Sequence, residues 1–176
     1  MKNYFIIIDM QNDFVTGALG SPMAQEILPT LVDEAKAARA RGEELIFTRD
    51  THTPDYLSTQ EGKNLPVTHC VKNTEGWQLV PELLPLAEGA DIFDKPTFGS
   101  VALSEYLVRK NEEEGIGSIT LAGVCTDICV VSNALLIKAA LPEVPVCVLR
   151  GATAGVSKES HEAALVTMAS CQIEVK

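Results

Sequence analysis

Gly123-Val124-Cys125-Thr126-Asp127-Ile128-Cys129-Val130 follows a short apolar run, Ser118–Ala122, and leads into a helix-length segment, Asp127–Ala140. An apolar run of that length that stops at glycine reads as a buried strand ending in a tight turn. Thr126 or Asp127 suits the first capping position of the helix behind it. A strand, a turn and a helix in that order form half of a parallel β–α–β unit, and the rest of the chain repeats the pattern in both directions.

Five further apolar runs read as strands: Tyr4–Ile8, Glu44–Thr48, Asp91–Phe93, Val144–Leu149 and Gln172–Val175. Helical spacing of apolar residues marks Glu26–Arg41, where Gly42 supplies the stop and Pro29 is expected in the first turn. Ser100–Glu114 and Lys158–Ser170 are the other helices, with Ser157 placed to cap the latter. These elements predict a three-layer α/β/α domain spanning residues 1–176, with a doubly wound, six-stranded parallel sheet in the order 3-2-1-4-5-6. The connection from Thr51 to Gly89 is too long to be an idle loop in so small a domain.

Composition limits what such a domain can do. At 176 residues and a formal charge of −10, with no cluster of Lys and Arg, the chain does not fit a nucleic-acid partner. No apolar run approaches the roughly 20 residues of a membrane span. Met1-Lys2-Asn3-Tyr4-Phe5 runs into Ile6-Ile7-Ile8-Asp9, too short and too soon acidic for an export signal, so a cytoplasmic location is expected. Cys70, Cys125, Cys129, Cys147 and Cys171 are odd in number and irregular in spacing, which suits free thiols better than disulfides.

Open parallel sheets bind ligands beyond the carboxyl ends of their strands. Here those positions carry Asp9, Asp50 with His52, Lys95, Gly123 through Cys129, and Gly151–Thr153. Any one of these taken alone reads equally well as a solvated loop residue; the set on one edge reads as a site. Cys129 would fall in the first turn of its helix, where unpaired amides and the helix dipole favour a thiolate. Cys125 on the turn is its rival, Cys70 is open, and Cys147 and Cys171 read as small buried hydrophobes.

Asp9-Met10-Gln11-Asn12-Asp13-Phe14 after the first strand, Lys95 after the third, and Gly123 through Val130 after the fourth together resemble the isochorismatase-like cysteine hydrolases, and among them the nicotinamidases. The resemblance runs nearly the whole chain in order. It implies a catalytic triad of Asp9, Lys95 and Cys129, a cis peptide between Val124 and Cys125, and an oxyanion hole of the Cys125 and Cys129 backbone amides. Those residue types suit the chemistry: a thiolate attacks a carbonyl, a carboxylate relays its proton to departing ammonia, and a thioester is left for water.

Asp50, His52, Glu61 and His69 lie around the long connection. Spacing alone does not make them a ligand set, because residues two apart on a strand point the same way only while the chain stays extended, and the partners are far apart in sequence. The resemblance implies that Asp50, His52 and His69, with Glu61 as a fourth ligand, hold a divalent metal; two imidazoles with carboxylate oxygen suit zinc first, or iron or manganese. The chain departs from nicotinamidases at Leu65-Pro66-Val67-Thr68, where many of them carry Trp or Phe, and at Pro96-Thr97-Phe98-Gly99-Ser100, where they carry a tyrosine. Phe14, Leu65, Phe98 and Val124 are the expected substrate wall; Trp77 is a further aromatic candidate and, like Phe14 and Phe98, reads equally well as core. His161, in the last helix, reads as structural.

The sequence thus predicts a cysteine amidohydrolase for a small carboxamide, nicotinamide first, working as a homo-oligomer as such hydrolases commonly do. Carbamoyl or ureido compounds or isochorismate are alternative substrates for the same triad. A non-catalytic metal-binding or thiol redox module, using the Asp50-His52-His69 set or the Cys125/Cys129 pair, is the reading from another class, and it leaves Asp9 and Lys95 without a role.

Overall fold

The computed structural model describes residues 1–176. Its strands are β1 (Lys2–Ile8), β2 (Glu44–Asp50), β3 (Asp91–Lys95), β4 (Ile116–Val124), β5 (Val146–Ala154) and β6 (Glu174–Val175). All pair in parallel, in the order β3-β2-β1-β4-β5-β6, as expected. The helices are α1 (Asn12–Val15), α2 (Pro22–Ala40), α3 (Gln60–Asn64), α4 (Leu84–Ala87), α5 (Val101–Glu114), α6 (Val131–Ala140) and α7 (Lys158–Ser170).

β1 shows why its apolar run is continuous rather than alternating. Tyr4, Ile6 and Ile8 pack with Leu103 and Leu107 of α5, Ile137 of α6 and Met168 of α7. Phe5 and Ile7 point the other way, onto Leu31, Ala35 and Ala38 of α2. A central strand with helices on both faces has no solvent side. Truncating Ile6 or Ile7 to Ala in such packing costs about 2–5 kcal/mol.

Several boundaries differ from expectation for local reasons. α2 begins at Pro22, because Ser21 Oγ accepts the Ala24 amide at 3.1 Å and Pro22 needs no donor at the first position. Pro29 therefore lies inside the helix, on its exposed side, and not in the first turn. β2 and β3 extend to Asp50 and Lys95, which end strands instead of following them. β5 starts at Val146, and its register jumps: Leu121 pairs with Val148 but Gly123 with Thr153, so the strand bulges and carries on through Gly151–Thr153. Gln172, at φ +64°, precedes β6 and lies outside it.

The long connection is folded in short pieces. A 3-10 turn at Tyr56–Ser58 precedes α3, and a second at Pro81–Leu83 precedes α4. No helix is long and apolar enough to cross a membrane.

Candidate active site

Three strand ends converge on one sulfur. Lys95 Nζ lies 2.6 Å from Asp9 Oδ2, 3.4 Å from Cys129 Sγ and 3.6 Å from Asp50 Oδ1, and it donates to the Thr97 carbonyl at 3.1 Å. Asp9 and Lys95 are fully buried. Thr48 Oγ1 donates to Asp9 Oδ1 at 2.6 Å, so each oxygen of that carboxylate has its own partner. Asp9 takes a left-handed backbone, φ +50°, as the chain turns out of β1.

Gly123 brings the strand that precedes Cys129 close to this turn. At φ +121°, a Cβ there would sit 2.1 Å from the Ile8 carbonyl oxygen. The Val124–Cys125 peptide is cis, as the resemblance implied. The following residues depart from expectation: Thr126–Val130 form a π-helical turn before α6, and neither Thr126 nor Asp127 caps it. Thr126 Oγ1 instead meets His161 Nδ1 at 2.8 Å, and Asp127 Oδ1 accepts the Val156 amide at 3.1 Å, tying the turn to the loop before α7. His161 is a buried structural partner, its pKa lowered by burial.

Cys129 Sγ is buried beside two opposite charges. Burial pushes its pKa well up, and the Asp9 carboxylate beside it pushes further than the Lys95 ammonium can offset. Burial and the Asp9 carboxylate thus work against the thiolate that helix position was expected to favour. Burial also lifts Asp9, against the pull of Lys95, which makes it a better proton acceptor than a surface aspartate. Lys95 stays protonated, because Asp9 and its other neighbours outweigh the cost of burial. Cys125, half-open on the cavity wall, is pushed up to about 12 by burial and by Asp127. All five cysteines are free; Cys147 is buried as expected, but Cys171 is exposed, because it ends α7 before the chain enters β6.

Asp50 has a second face. Its Oδ2 lies 2.9 Å from His52 Nε2 and 3.3 Å from His69 Nε2, and Glu61 Oε1 stands 3.6 and 3.8 Å from the same two nitrogens. One donor atom from each of the four lies within 4.8 Å of the others. Asp50 and His52 converge because the chain leaves β2 and His52 pairs with Val71. His69 Nδ1 donates to the Val67 carbonyl at 2.7 Å, which turns the Nε2 lone pair toward the Asp50 carboxylate. The gap between them can be filled by a proton on the imidazole or by a metal ion, and the four donor atoms converge closely enough for the latter. Two imidazoles and two carboxylates therefore fit a divalent metal. Burial raises the Asp50 carboxyl, but the imidazoles and Lys95 outweigh it and hold the group strongly acidic.

Cys129, Asp50, Glu61 and His69 line one cavity of about 480 Å³, whose wall is otherwise mainly apolar, while Asp9 and Lys95 lie buried behind it. All four expected wall residues, Phe14, Leu65, Phe98 and Val124, are on it, with Cys125 and Cys129. Trp77 is not: its ring stacks under the Arg49 guanidinium at 3.7 Å and its Nε1 donates to Thr51 at 2.8 Å.

The sequence matches the model of the isochorismatase domain over residues 3–175. The chain belongs to the isochorismatase family. Among solved members, a nicotinamidase/pyrazinamidase from Bacillus subtilis is 31% identical, with 99% of each chain covered and a TM-score of 0.85. A pyrazinamidase from Pyrococcus horikoshii, solved in complex with zinc, is 29% identical over 100% of this chain and 99% of its own, with a TM-score of 0.84. The nicotinamidase/pyrazinamidase of Mycobacterium tuberculosis is 27% identical, covering 97% of this chain and 96% of its own.

Within this isochorismatase-family site, sequence reasoning missed the residues that hold the others. Gln11 Nε2 donates to the Asp50 and Trp77 carbonyls at 2.9 and 2.8 Å, and its Oε1 accepts the Asp50 amide at 2.7 Å. Tyr56 packs its ring 4.6 Å from that of His52 and 4.9 Å from that of His69. Asp13 Oδ2 accepts the Cys70 amide at 2.8 Å, next to His69. Gln11 and Asp13 stand in the first motif quoted above, which was the available signal; Tyr56 carried none.

Proposed function

We propose that this chain is a metal-assisted cysteine amidohydrolase that cleaves a small aromatic carboxamide, nicotinamide first, to the acid and ammonia. The observation that carries the reading is Lys95, buried with its ammonium within reach of both the Asp9 carboxylate and the Cys129 sulfur at the wall of an apolar cavity. The nicotinamidase and pyrazinamidase relatives support the same reading.

In this scheme Asp9 takes the Cys129 proton as sulfur attacks the carboxamide carbon, and the oxyanion is met by the Cys125 and Cys129 amides. Asp9 then hands the proton to nitrogen as the C–N bond breaks, leaving a thioester and ammonia. Water attacks the thioester with Asp9 as base; sulfur leaves, recovers the proton, and the acid departs. Lys95 offsets the negative charge throughout and orients Asp9. Asp50, His52, Glu61 and His69 would hold a divalent metal, zinc first with iron or manganese as alternatives. When bound, it supplies a Lewis-acid anchor for the ring-nitrogen lone pair. Phe14, Leu65, Phe98 and Val124 enclose the ring. The same reading takes the working form to be a cytoplasmic homo-oligomer; sedimentation velocity on the purified chain and cell fractionation test that part.

The decisive experiment is ammonia release from nicotinamide by metal-loaded and metal-stripped protein beside Cys129→Ala. Release that disappears in the variant is the expected result. No release from folded, loaded protein overturns nicotinamide as substrate and turns the search to carbamoyl and ureido compounds.

A further inference from the structure

One fully buried side chain links the nucleophile, the triad lysine and the cavity wall, and no step above uses it. Asn133 lies one turn beyond Cys129 on α6, with no exposed surface. Its Nδ2 donates to the Cys129 carbonyl at 2.8 Å and to the Phe98 carbonyl at 3.0 Å. Its Oδ1 accepts the Ser100 amide at 2.9 Å. The segment so held, Pro96–Ser100, begins beside Lys95, and its Thr97 carbonyl accepts from the Lys95 ammonium at 3.1 Å. Phe98 is 42% exposed yet lines the cavity, so its ring stands at the mouth.

We propose that Asn133 is a positioning residue that clamps the Phe98 segment to the nucleophile turn, and so sets the substrate wall and the seat of Lys95 relative to Cys129. The chemistry favours a clamp over simple filler. An amide is the only neutral side-chain group that presents two N–H donors and an oxygen acceptor in one plane, and here all three are engaged. Phe98 and Ser100 belong to a loop, where the backbone has no ladder to hold it. The Cys129 carbonyl belongs to the irregular turn that carries the sulfur. Without Asn133, nothing else found in the structure ties the Phe98 carbonyl to α6.

The proposal rests on Cys129 being the nucleophile, so its test has an arm that needs no turnover. Asn133→Ala, Asn133→Asp and unaltered protein are labelled with N-phenylmaleimide, and each cysteine is followed by peptide mass spectrometry. Loss of the clamp frees the mouth, so Cys129 labelling should quicken at least fivefold in Asn133→Ala while Cys70 and Cys147, both buried, keep their protection. Asp has nearly the volume of Asn and keeps the acceptor for Ser100, but as a carboxylate it offers no donor to the two carbonyls. It should therefore label at least as fast as Ala. Rescue by Asp would mean that Asn133 only fills space, and overturns the proposal. So would a parallel rise at Cys70 and Cys147, the mark of global loosening, or unchanged labelling at Cys129. In the turnover arm, KM should rise about tenfold in both variants with a smaller change in kcat, as when one or two hydrogen bonds that hold a binding wall are lost. A fall in kcat with KM unchanged overturns the role at the wall. If unaltered protein releases no ammonia from nicotinamide, the substrate reading fails while the labelling comparison still decides the clamp.

Discussion

Lys95 and Asp9 leave the sheet from strands that do not pair with each other, and their charged atoms still meet at 2.6 Å. The strand between them, β2, provides for both: Thr48 donates to Asp9, and Asp50 lies 3.6 Å from Lys95. The ion pair is therefore made at the sheet's edge, over the end of an intervening strand, where each charge has a second partner. A buried pair is expensive to desolvate and worse to break, since the survivor keeps its burial without its counter-charge.

Asp9→Asn should reduce ammonia release by about a hundred- to ten-thousandfold, the usual loss on removing a general base. It should also lower stability by about 3 kcal/mol, because Lys95 keeps only Asp50. Steady-state assay and urea denaturation, with circular dichroism to confirm the fold, check both. Activity within threefold of the unaltered protein would remove Asp9 from the mechanism.

Thr48→Val keeps shape and deletes one donor to Asp9. That hydrogen bond favours the carboxylate and holds its pKa down, so its loss should raise the pKa further and leave less base at a given pH. The acid limb of the kcat/KM profile should then move to higher pH. A limb that stays in place or moves to lower pH contradicts the assignment of that limb to Asp9.

Gln11→Ala should weaken metal binding by about 10–100-fold, as is usual when a group orienting a ligand is lost. Gln11 touches no proposed donor atom; it fixes the Asp50 backbone by two hydrogen bonds. Competition against a chromogenic chelator measures the change. His52→Ala, which removes a ligand outright, should lose more.

Gly123→Ala should fail to give soluble, folded protein. A methyl group at 2.1 Å from the Ile8 oxygen, on a residue at φ +121°, requires β1 and β4 to part at the site. Expression with size-exclusion analysis tests it, and a monodisperse, active Gly123→Ala protein would show that the turn can relax.

The parallel strands were legible because they are short, apolar and covered on both faces, so periodicity and turns locate them, and the doubly wound topology supplies their order in the sheet. That Asp9, Lys95 and Cys129 stand near three strand ends on one edge was legible from sheet topology, but singling these three out from Asp50, His52 and the other residues there needed the family resemblance. The metal cluster needed the family resemblance: His52 and His69 become neighbours only through the bridge of His52 to Val71, a pairing between loops that no period reveals. The boundary errors share a cause. β5 runs on through Gly151 because of a bulge, and α2 starts at Pro22 because of Ser21, both decided by single contacts. The burial that weighs against a Cys129 thiolate was hidden for a similar reason, since helix position is visible in sequence and desolvation is not. Asn133 was passed over because mid-helix asparagines ordinarily face solvent.

Drawing the triad from β1, β3 and the turn after β4 has a consequence for how the molecule must be made. Asp9, Lys95 and Cys129 come from both halves of the sheet, so their contacts can form only after both have docked on β1. No fragment and no half-folded chain holds a working arrangement of the three. Under the proposed function, turnover would be a readout of complete folding, and any lesion that delays closure of either half should register as lost turnover before it registers as lost helix.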